Sequence, residues 1–242
     1  TVQQSSKLAA LGEMSAGVSH ELNQPLAAMK TYLAGARLLL QRGRGEEALS
    51  SFQRIDDLVE RMGAITRQLK SYARKGGEAF EPVDLRAALS SALVMMEPQL
   101  RNRTIKLQRN IPRYPVMVYC DRIRLEQIVI NLLRNAVDAI KDVRDPAIEI
   151  TVSSGSHAFL SVRDNGPGVS DLENLFEPFF TTKKPGEGTG LGLAISSGIA
   201  ADFGGRLTAH NASDEGGRGA VFELELPLHD PQRKTGAGMA AE

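Results

Sequence analysis

Phe159-Leu160-Ser161-Val162-Arg163-Asp164-Asn165-Gly166-Pro167-Gly168 reads as a β-strand that runs into a glycine turn. The two-residue period of a strand puts Leu160, Val162 and Asp164 on one face. A carboxylate on a core-facing side needs a hydrogen-bond donor, and an adenine amino group is one candidate. Asp-Asn-Gly is also a common turn sequence, and taken alone the stretch reads as a turn. Upstream lie a strand at Ile148 to Val152, a long helix from about Asp121 to Lys141 and short strands at Ile105 to Leu107 and Val116 to Tyr119. Before them, Asp84 can N-cap a helix through Leu85, Leu89, Leu93, Met96 and Leu100. Downstream come a glycine-rich stretch, a helix from about Gly192 to Phe203 and strands near Leu207 and at Val221 to Leu226. Helices and strands mixed at this spacing predict a two-layer α/β sandwich.

The first third of the chain has the other period. Leu8, Leu11, Met14, Val18, Leu22, Leu26, Met29, Leu33 and Leu40 make one apolar helical stripe, and Leu49, Phe52, Ile55, Val59, Met62, Ile65, Leu69 and Tyr72 make a second. Arg42-Gly43-Arg44-Gly45 separates the two, so they are expected to form an antiparallel hairpin of helices, each roughly 30 to 35 residues long. A hairpin has no third layer to cover its stripe, and a dimeric four-helix bundle is the simplest remedy. The fold class is therefore α+β, with a helical hairpin over 1–79, a sandwich over 80–229 and a tail over 230–242. The tail, with Pro231, Gly236, Gly238, Ala240 and Ala241, has little apolar content and is expected to be disordered.

Composition narrows the function. Lys and Arg total 29 against 29 Asp and Glu, so there is no basic excess of the kind that draws a protein to nucleic acid. The single cysteine, Cys120, can form no disulfide within the chain and cannot build a metal site alone. No apolar run approaches the ~18 residues that a membrane span needs, and Thr1 to Ser6 lacks the build of a signal peptide. The expectation is a soluble piece of something longer. Aromatic content is low at 5% with no Trp, which suits a helical bundle better than one thick core.

Three further places could carry chemistry. His20, in Ser19-His20-Glu21-Leu22-Asn23-Gln24-Pro25, falls away from the apolar stripe by helical geometry, with Glu21 and Gln24 on its side. Neutral imidazole is a good nucleophile, and a neighbouring carboxylate can take its other proton, although an ordinary solvent-facing His reads the same way. Pro25 inside the helix costs roughly 3 kcal/mol, which points to a purpose nearby. Asn131, Asn135 and Asp138 share a polar arc beside the apolar face of their helix. Their oxygens suit a hard cation such as Mg²⁺, or the arc is a solvated face. Gly188-Thr189-Gly190-Leu191-Gly192-Leu193 opens a helix, where closely spaced glycines let backbone N–H groups approach an anion. The run matches neither a Rossmann fingerprint nor a P-loop.

In their order and spacing these stretches resemble the catalytic core of two-component sensor histidine kinases, over residues 5 to 228. Ser19 to Leu26 resembles the phospho-acceptor box, and Asn131-Leu132-Leu133-Arg134-Asn135-Ala136 the N box. Asp164 to Gly168 resembles the first glycine box, Phe176-Glu177-Pro178-Phe179-Phe180 the F box and Gly188 to Gly192 the second glycine box. Leu11-Gly12-Glu13-Met14 and Asn23-Gln24-Pro25 around His20 are most similar to C4-dicarboxylate-sensing kinases.

The resemblance implies a dimeric hairpin followed by an ATP-binding sandwich of the gyrase, Hsp90 and MutL kind. It implies that His20 attacks the γ-phosphate of ATP with Glu21 as general base, and that the phosphoryl group passes to an Asp of a response regulator. It further implies Mg²⁺ on Asn135 with help from Asn131, and Asp164 on the adenine amino group. Gly166 and Gly168 would shape the pocket. Gly188, Thr189, Gly190, Leu191 and Gly192 would cradle the phosphates, and residues Val169 to Glu187 with Phe176, Phe179 and Phe180 would form a lid. The parent protein would sit in a bacterial inner membrane through a sensor region outside this chain, with this part cytoplasmic.

Two departures stand out. Asp138 occupies the place where many such kinases carry Lys, so the phosphate-facing cation is Arg134, Lys141 or Lys183. Gln24 stands where many carry Thr or Asn, and its longer reach leaves phosphatase activity open. A gyrase-type ATPase switch would place a Glu where Asn131 stands, and Asn is a poor base. A non-catalytic dimeric module is disfavoured because His20, Asn135, Asp164 and the glycines are all present.

Overall fold

The computed structural model describes residues 2–73, 80–101, 104–178, 180–181, 190–212 and 217–229, with residues 2–21, 61, 64, 65 and 67–73 described by their backbone. The tail expected over 230–242 lies outside them. The chain divides into two compact units, Thr1–Arg74 with Glu177–Gly192, and Lys75–Phe176 with Leu193–Glu242.

The hairpin consists of α1 (Val2–Gln41) and α2 (Gly45–Ala73). α1 is longer than its periodicity predicts and runs on through Pro25, which is buried. Gly43 closes it in the left-handed region at φ 74°, and the N–H of Arg44 reaches back to the Leu39 carbonyl at 2.9 Å. A residue without Cβ accepts that conformation at no steric cost, which is why the chain turns at Gly43. Glu46 and Glu47 then stand in the first turn of α2, where the helix dipole favours negative charge. Within the hairpin Ala36 and Ala48 are fully buried, but Leu33 keeps 57% of its surface exposed and Leu49 62%. Among the described residues of the stripes, Leu26, Leu40, Phe52 and Val59 are exposed as well.

The second unit begins with β1 (Phe80–Asp84), α3 (Leu85–Arg101), β2 (Lys106–Asn110) and β3 (Met117–Asp121). α4 (Arg122–Ala139), β4 (Ala147–Ser154) and β5 (His157–Asp164) follow, and then α5 (Gly192–Asp202), β6 (Arg206–Asn211) and β7 (Ala220–Pro227). A five-stranded sheet has the order β2-β4-β5-β7-β6, with β2 parallel to β4 and the remaining neighbours antiparallel. β1 and β3 form a separate antiparallel ribbon. Sequence periodicity shows β3 but not β1, because Pro82 sits in the middle of it. Proline cannot donate to a ladder, so such a segment survives only at a sheet edge, as β1 does here.

One face of the large sheet is buried. Ile148, Ile150 and Val152 of β4, Ala158, Leu160 and Val162 of β5 and Leu224 and Leu226 of β7 line it. Helices supply the other layer through Leu85, Leu89 and Met96 of α3, Leu125, Ile128, Leu132 and Leu133 of α4, and Ile195 and Ile199 of α5. This is the two-layer sandwich that the alternation predicts.

Candidate functional site

α4 starts where it does because Asp121 caps it. The Asp121 carboxylate accepts from the backbone N–H of Ile123 at 2.9 Å and of Arg124 at 3.2 Å. With the start set, the 3.6-residue period puts Leu132, Leu133 and Ala136 in the core and leaves Asn131, Asn135 and Asp138 half-buried beside them. Arg134 and Lys141 are exposed. The side-chain nitrogen of Asn131 donates to the Ser196 hydroxyl on α5 at 3.0 Å, which leaves the carbonyl oxygen of its amide for another partner. The donor set at this face is thus amide oxygen on one helix, at positions i and i+4. That suits Mg²⁺, which takes a few hard oxygen ligands and fills the rest of its shell from phosphate and water.

Asp164 ends β5 on the buried face, 2% exposed, in line with Leu160 and Val162. Burial raises its carboxyl pKa above the ordinary value. Backbone N–H bonds to Oδ1, from Gly166 at 2.8 Å and Ala220 at 3.3 Å, offset part of that rise. Among the described residues both donors fall on Oδ1, so Oδ2 is left for a ligand N–H.

The turn after Asp164 is packed against its surroundings too closely for a side chain at two points. A Cβ on Gly166 would lie 2.7 Å from the Ala139 carbonyl oxygen, at the end of α4. Gly168 is at φ 83°, and a Cβ there would lie 2.7 Å from Asn211 Oδ1. The end of α4 therefore lies against the glycine turn that follows Asp164.

Several residues hold that site without having been visible as site residues in the sequence. Asn211 clamps the turn from β6, accepting from the Val169 N–H at 2.7 Å and donating to the Val169 carbonyl at 2.8 Å. Asn165 ties the same turn to the start of β4, accepting from the Ala147 N–H at 2.9 Å and donating to the Asp145 carbonyl at 2.8 Å. Gly219, at φ 95°, lies against the Asp164 backbone carbonyl. The partners are far apart in the chain and no local pattern connects them. Gly216-Gly217-Arg218-Gly219 was the one readable hint.

The remaining predicted positions belong to the first unit. Gly190 adopts φ 64°, Leu191 is fully buried and α5 begins at Gly192. The Phe180 N–H donates to the Glu177 carbonyl at 3.2 Å. His20, Glu21 and Gln24 all lie on α1, where Gln24 is exposed and the side chains of His20 and Glu21 are outside the described residues. Lys183, Gly188, Thr189 and Phe179 are outside them altogether. Among the described residues no cluster of His, Cys, Asp and Glu suits a metal ion.

A buried carboxylate at the end of a strand, asparagines on a helix packed in the same unit and a long helical hairpin earlier in the chain are the features to set beside known proteins. Residues 120–230 match the histidine kinase-, DNA gyrase B- and HSP90-like ATPase family, and residues 10–78 match the His Kinase A phospho-acceptor domain. The chain belongs to the sensor histidine kinases. It is 44% identical over 229 residues to the C4-dicarboxylate transport sensor protein DctB of Pseudomonas aeruginosa, covering 93% of this chain and 37% of that protein. The chain thus spans little more than a third of that relative's length. The catalytic domain of histidine kinase ThkA is 31% identical with a TM-score of 0.54, over 62% of this chain and 95% of that one. ThkA in complex with the response regulator protein TrrA has the same fold at a TM-score of 0.71 and 24% identity, over 94% of this chain and 65% of that one.

Proposed function

We propose that this chain is the kinase core of a two-component sensor: it autophosphorylates His20 from Mg·ATP and passes the phosphoryl group to an Asp of a response regulator. The observation that carries this reading is the Asp164 carboxylate, buried at the end of β5 with Oδ1 taken by two backbone N–H groups and Oδ2 left over. Oδ2 accepts the adenine amino N–H, and Gly166 and Gly168 keep the floor of the pocket clear. Bound Mg²⁺ supplies charge neutralisation on the phosphates, held by the amide oxygens of Asn135 and Asn131. Gly188, Thr189, Gly190, Leu191 and Gly192 offer backbone N–H groups to the phosphates, Phe180 belongs to the lid, and the cation is Arg134, Lys141 or Lys183, with Asp138 beside it.

In the chemical step an imidazole nitrogen of His20 attacks the γ-phosphorus, the bond to the β-bridging oxygen breaks and ADP leaves. Glu21 takes the proton from the other ring nitrogen. Asn131 occupies the place of the water-activating Glu in gyrase-type ATPases, so attack by the protein's own nucleophile is favoured over hydrolysis. Gln24, four residues after His20 on the same helix, is the residue we assign to the regulator's phosphate, its longer reach leaving phosphatase activity open.

The organisation we propose is a phosphotransfer hairpin over 1–79, an ATP-binding domain over 80–229 and a tail over 230–242. The hairpin dimerises into a four-helix bundle, which the outward exposure of Leu33 and Leu49 supports. A receiver domain is the partner, by analogy with the ThkA–TrrA complex. The parent protein is anchored in a bacterial inner membrane, this portion lying on the cytoplasmic side; none of the described helices is long and apolar enough to cross a membrane. The test is incubation with γ-labelled ATP and Mg²⁺. Acid-labile label on the chain, absent from His20→Gln, is expected; acid-stable label, or free phosphate without labelled protein, would sink the proposal.

A further inference from the structure

α4 and α5 are joined by two polar cross-links that run in opposite chain directions. Arg124, near the start of α4, pairs with Asp202, at the end of α5, at 2.6 Å. Two turns further along α4, Asn131 meets Ser196, back toward the start of α5, at 3.0 Å. The helices are therefore antiparallel with a defined register, and Ser196 is carried to Asn131 by the packing around it rather than by a flexible loop.

Ser196 is 1% exposed and shares the inner face of α5 with Ile195, Ile199 and Ala200. A hydroxyl in such company costs free energy unless it is hydrogen-bonded. Its oxygen accepts from the Asn131 amide. A primary amide has a donor end and an acceptor end on one planar group. With the nitrogen committed to the Ser196 oxygen, the Asn131 carbonyl oxygen is the end of the amide that this contact leaves over.

We propose that Ser196 is a positioning residue for the metal site: it fixes the Asn131 amide so that Oδ1, and not the NH₂ group, faces the cation. The inference rests on the reading above in which Asn131 joins Asn135 in holding Mg²⁺. A freely turning amide would present its NH₂ group to the cation for part of the time and would have to be ordered when the metal arrives. Partners of this kind behind a metal ligand contribute about 10–100-fold to metal affinity.

The test uses the whole chain and the binding of methylanthraniloyl-ATP, read by its fluorescence, titrated with Mg²⁺ and repeated in EDTA. Ser196→Ala should raise the Mg²⁺ concentration for half-maximal binding by about 10–100-fold, and should leave nucleotide affinity in EDTA and the melting temperature in EDTA near those of the parent. Ser196→Thr, which keeps the hydroxyl, should restore the Mg²⁺ midpoint. Asn131→Ala should shift the midpoint at least as far, and the double variant should match Asn131→Ala alone. A Mg²⁺ midpoint unmoved by Ser196→Ala but moved by Asn131→Ala overturns the positioning role and leaves the metal reading standing. An unmoved midpoint in Asn131→Ala overturns the metal reading itself. Equal losses in Mg²⁺ and in EDTA for Ser196→Ala mean that the serine only packs, and also overturn the proposal.

Discussion

Asp202→Ala should destabilise the second unit far more than Arg124→Met, although both remove the same ion pair. The Arg124 side chain is 7% exposed and Asp202 16%. The guanidinium also lies over the Phe203 ring at 5.5 Å, and its Nε and Nη1 are buried without a hydrogen-bond partner among the described residues. Removing Asp202 takes away the carboxylate on Nη2 and leaves a buried positive charge on a group already short of partners. Breaking a buried pair in this way costs about 3–5 kcal/mol, and the partial exposure of Asp202 lets water in, so about 3 kcal/mol is expected. Arg124→Met removes the charge together with its two unpaired N–H groups and refills the space with a flexible apolar chain. Asp202, at the rim, can then hydrate. The net cost should be within about 1 kcal/mol, because unpaired buried donors cost about 1–3 kcal/mol in the parent. At about 2–4 °C per kcal/mol for a unit of this size, differential scanning calorimetry should show a loss of about 6–12 °C for Asp202→Ala and about 2–4 °C or less for Arg124→Met. If Arg124→Met falls as far as Asp202→Ala or further, the ion pair is a net stabiliser and the reasoning from unpaired N–H groups fails.

Asp164→Asn should abolish nucleotide binding without loss of stability at neutral pH. Burial raises the folded carboxyl pKa above its ordinary value of 3.8, so the folded chain holds this proton more tightly than the unfolded chain does. Stability from that proton is fully present below 3.8 and is lost as pH rises through the folded value. Asn has no proton to lose, so its melting temperature should equal or exceed the parent's at pH 7, with the gap closing below pH 3.8; a variant clearly less stable at pH 7 would contradict the assignment. Gly219→Ala should be worse than Gly166→Ala in urea denaturation. At Gly166 a Cβ meets the Ala139 carbonyl oxygen at 2.7 Å, an overpacking cost of about 1–3 kcal/mol. At Gly219 a Cβ overlaps the Asp164 carbonyl, and φ 95° adds about 1–2 kcal/mol of backbone strain. The reverse order would show that the β7 end of the site yields more easily than the α4 end.

Much of this protein is legible in its residues because the signals are local. The helical period of Leu22, Leu26 and Leu33 specifies a hairpin helix whatever it packs on. The alternation of Leu160, Val162 and Asp164 specifies which face of β5 carries the carboxylate. The spacing of Asn131 and Asn135 places both on one side of α4. Each of these depends on backbone geometry that repeats every two or 3.6 residues.

What supports those groups is not legible, because it is decided across the chain. Ser196 meets Asn131 across 65 residues, Asn211 meets Val169 across 42 and Ala220 meets Asp164 across 56. Arg124 and Asp202 are 78 apart. Nothing in the neighbourhood of Ser196, Asn211, Ala220, Arg124 or Asp202 marks it as a partner, since a Ser on a helix or an Asn at a strand end is ordinary in isolation. Such pairs exist only after β7 has entered between β5 and β6 and the antiparallel register of α4 and α5 has been set. By itself, then, the sequence determined the elements other than β1, their buried faces and the types of group proposed for the chemistry. Tertiary structure decided which way the Asn131 amide turns, which oxygen of Asp164 is left for a ligand and where the chain cannot tolerate a Cβ. Orientation and clearance are properties of contacts between distant segments, and no local period encodes them.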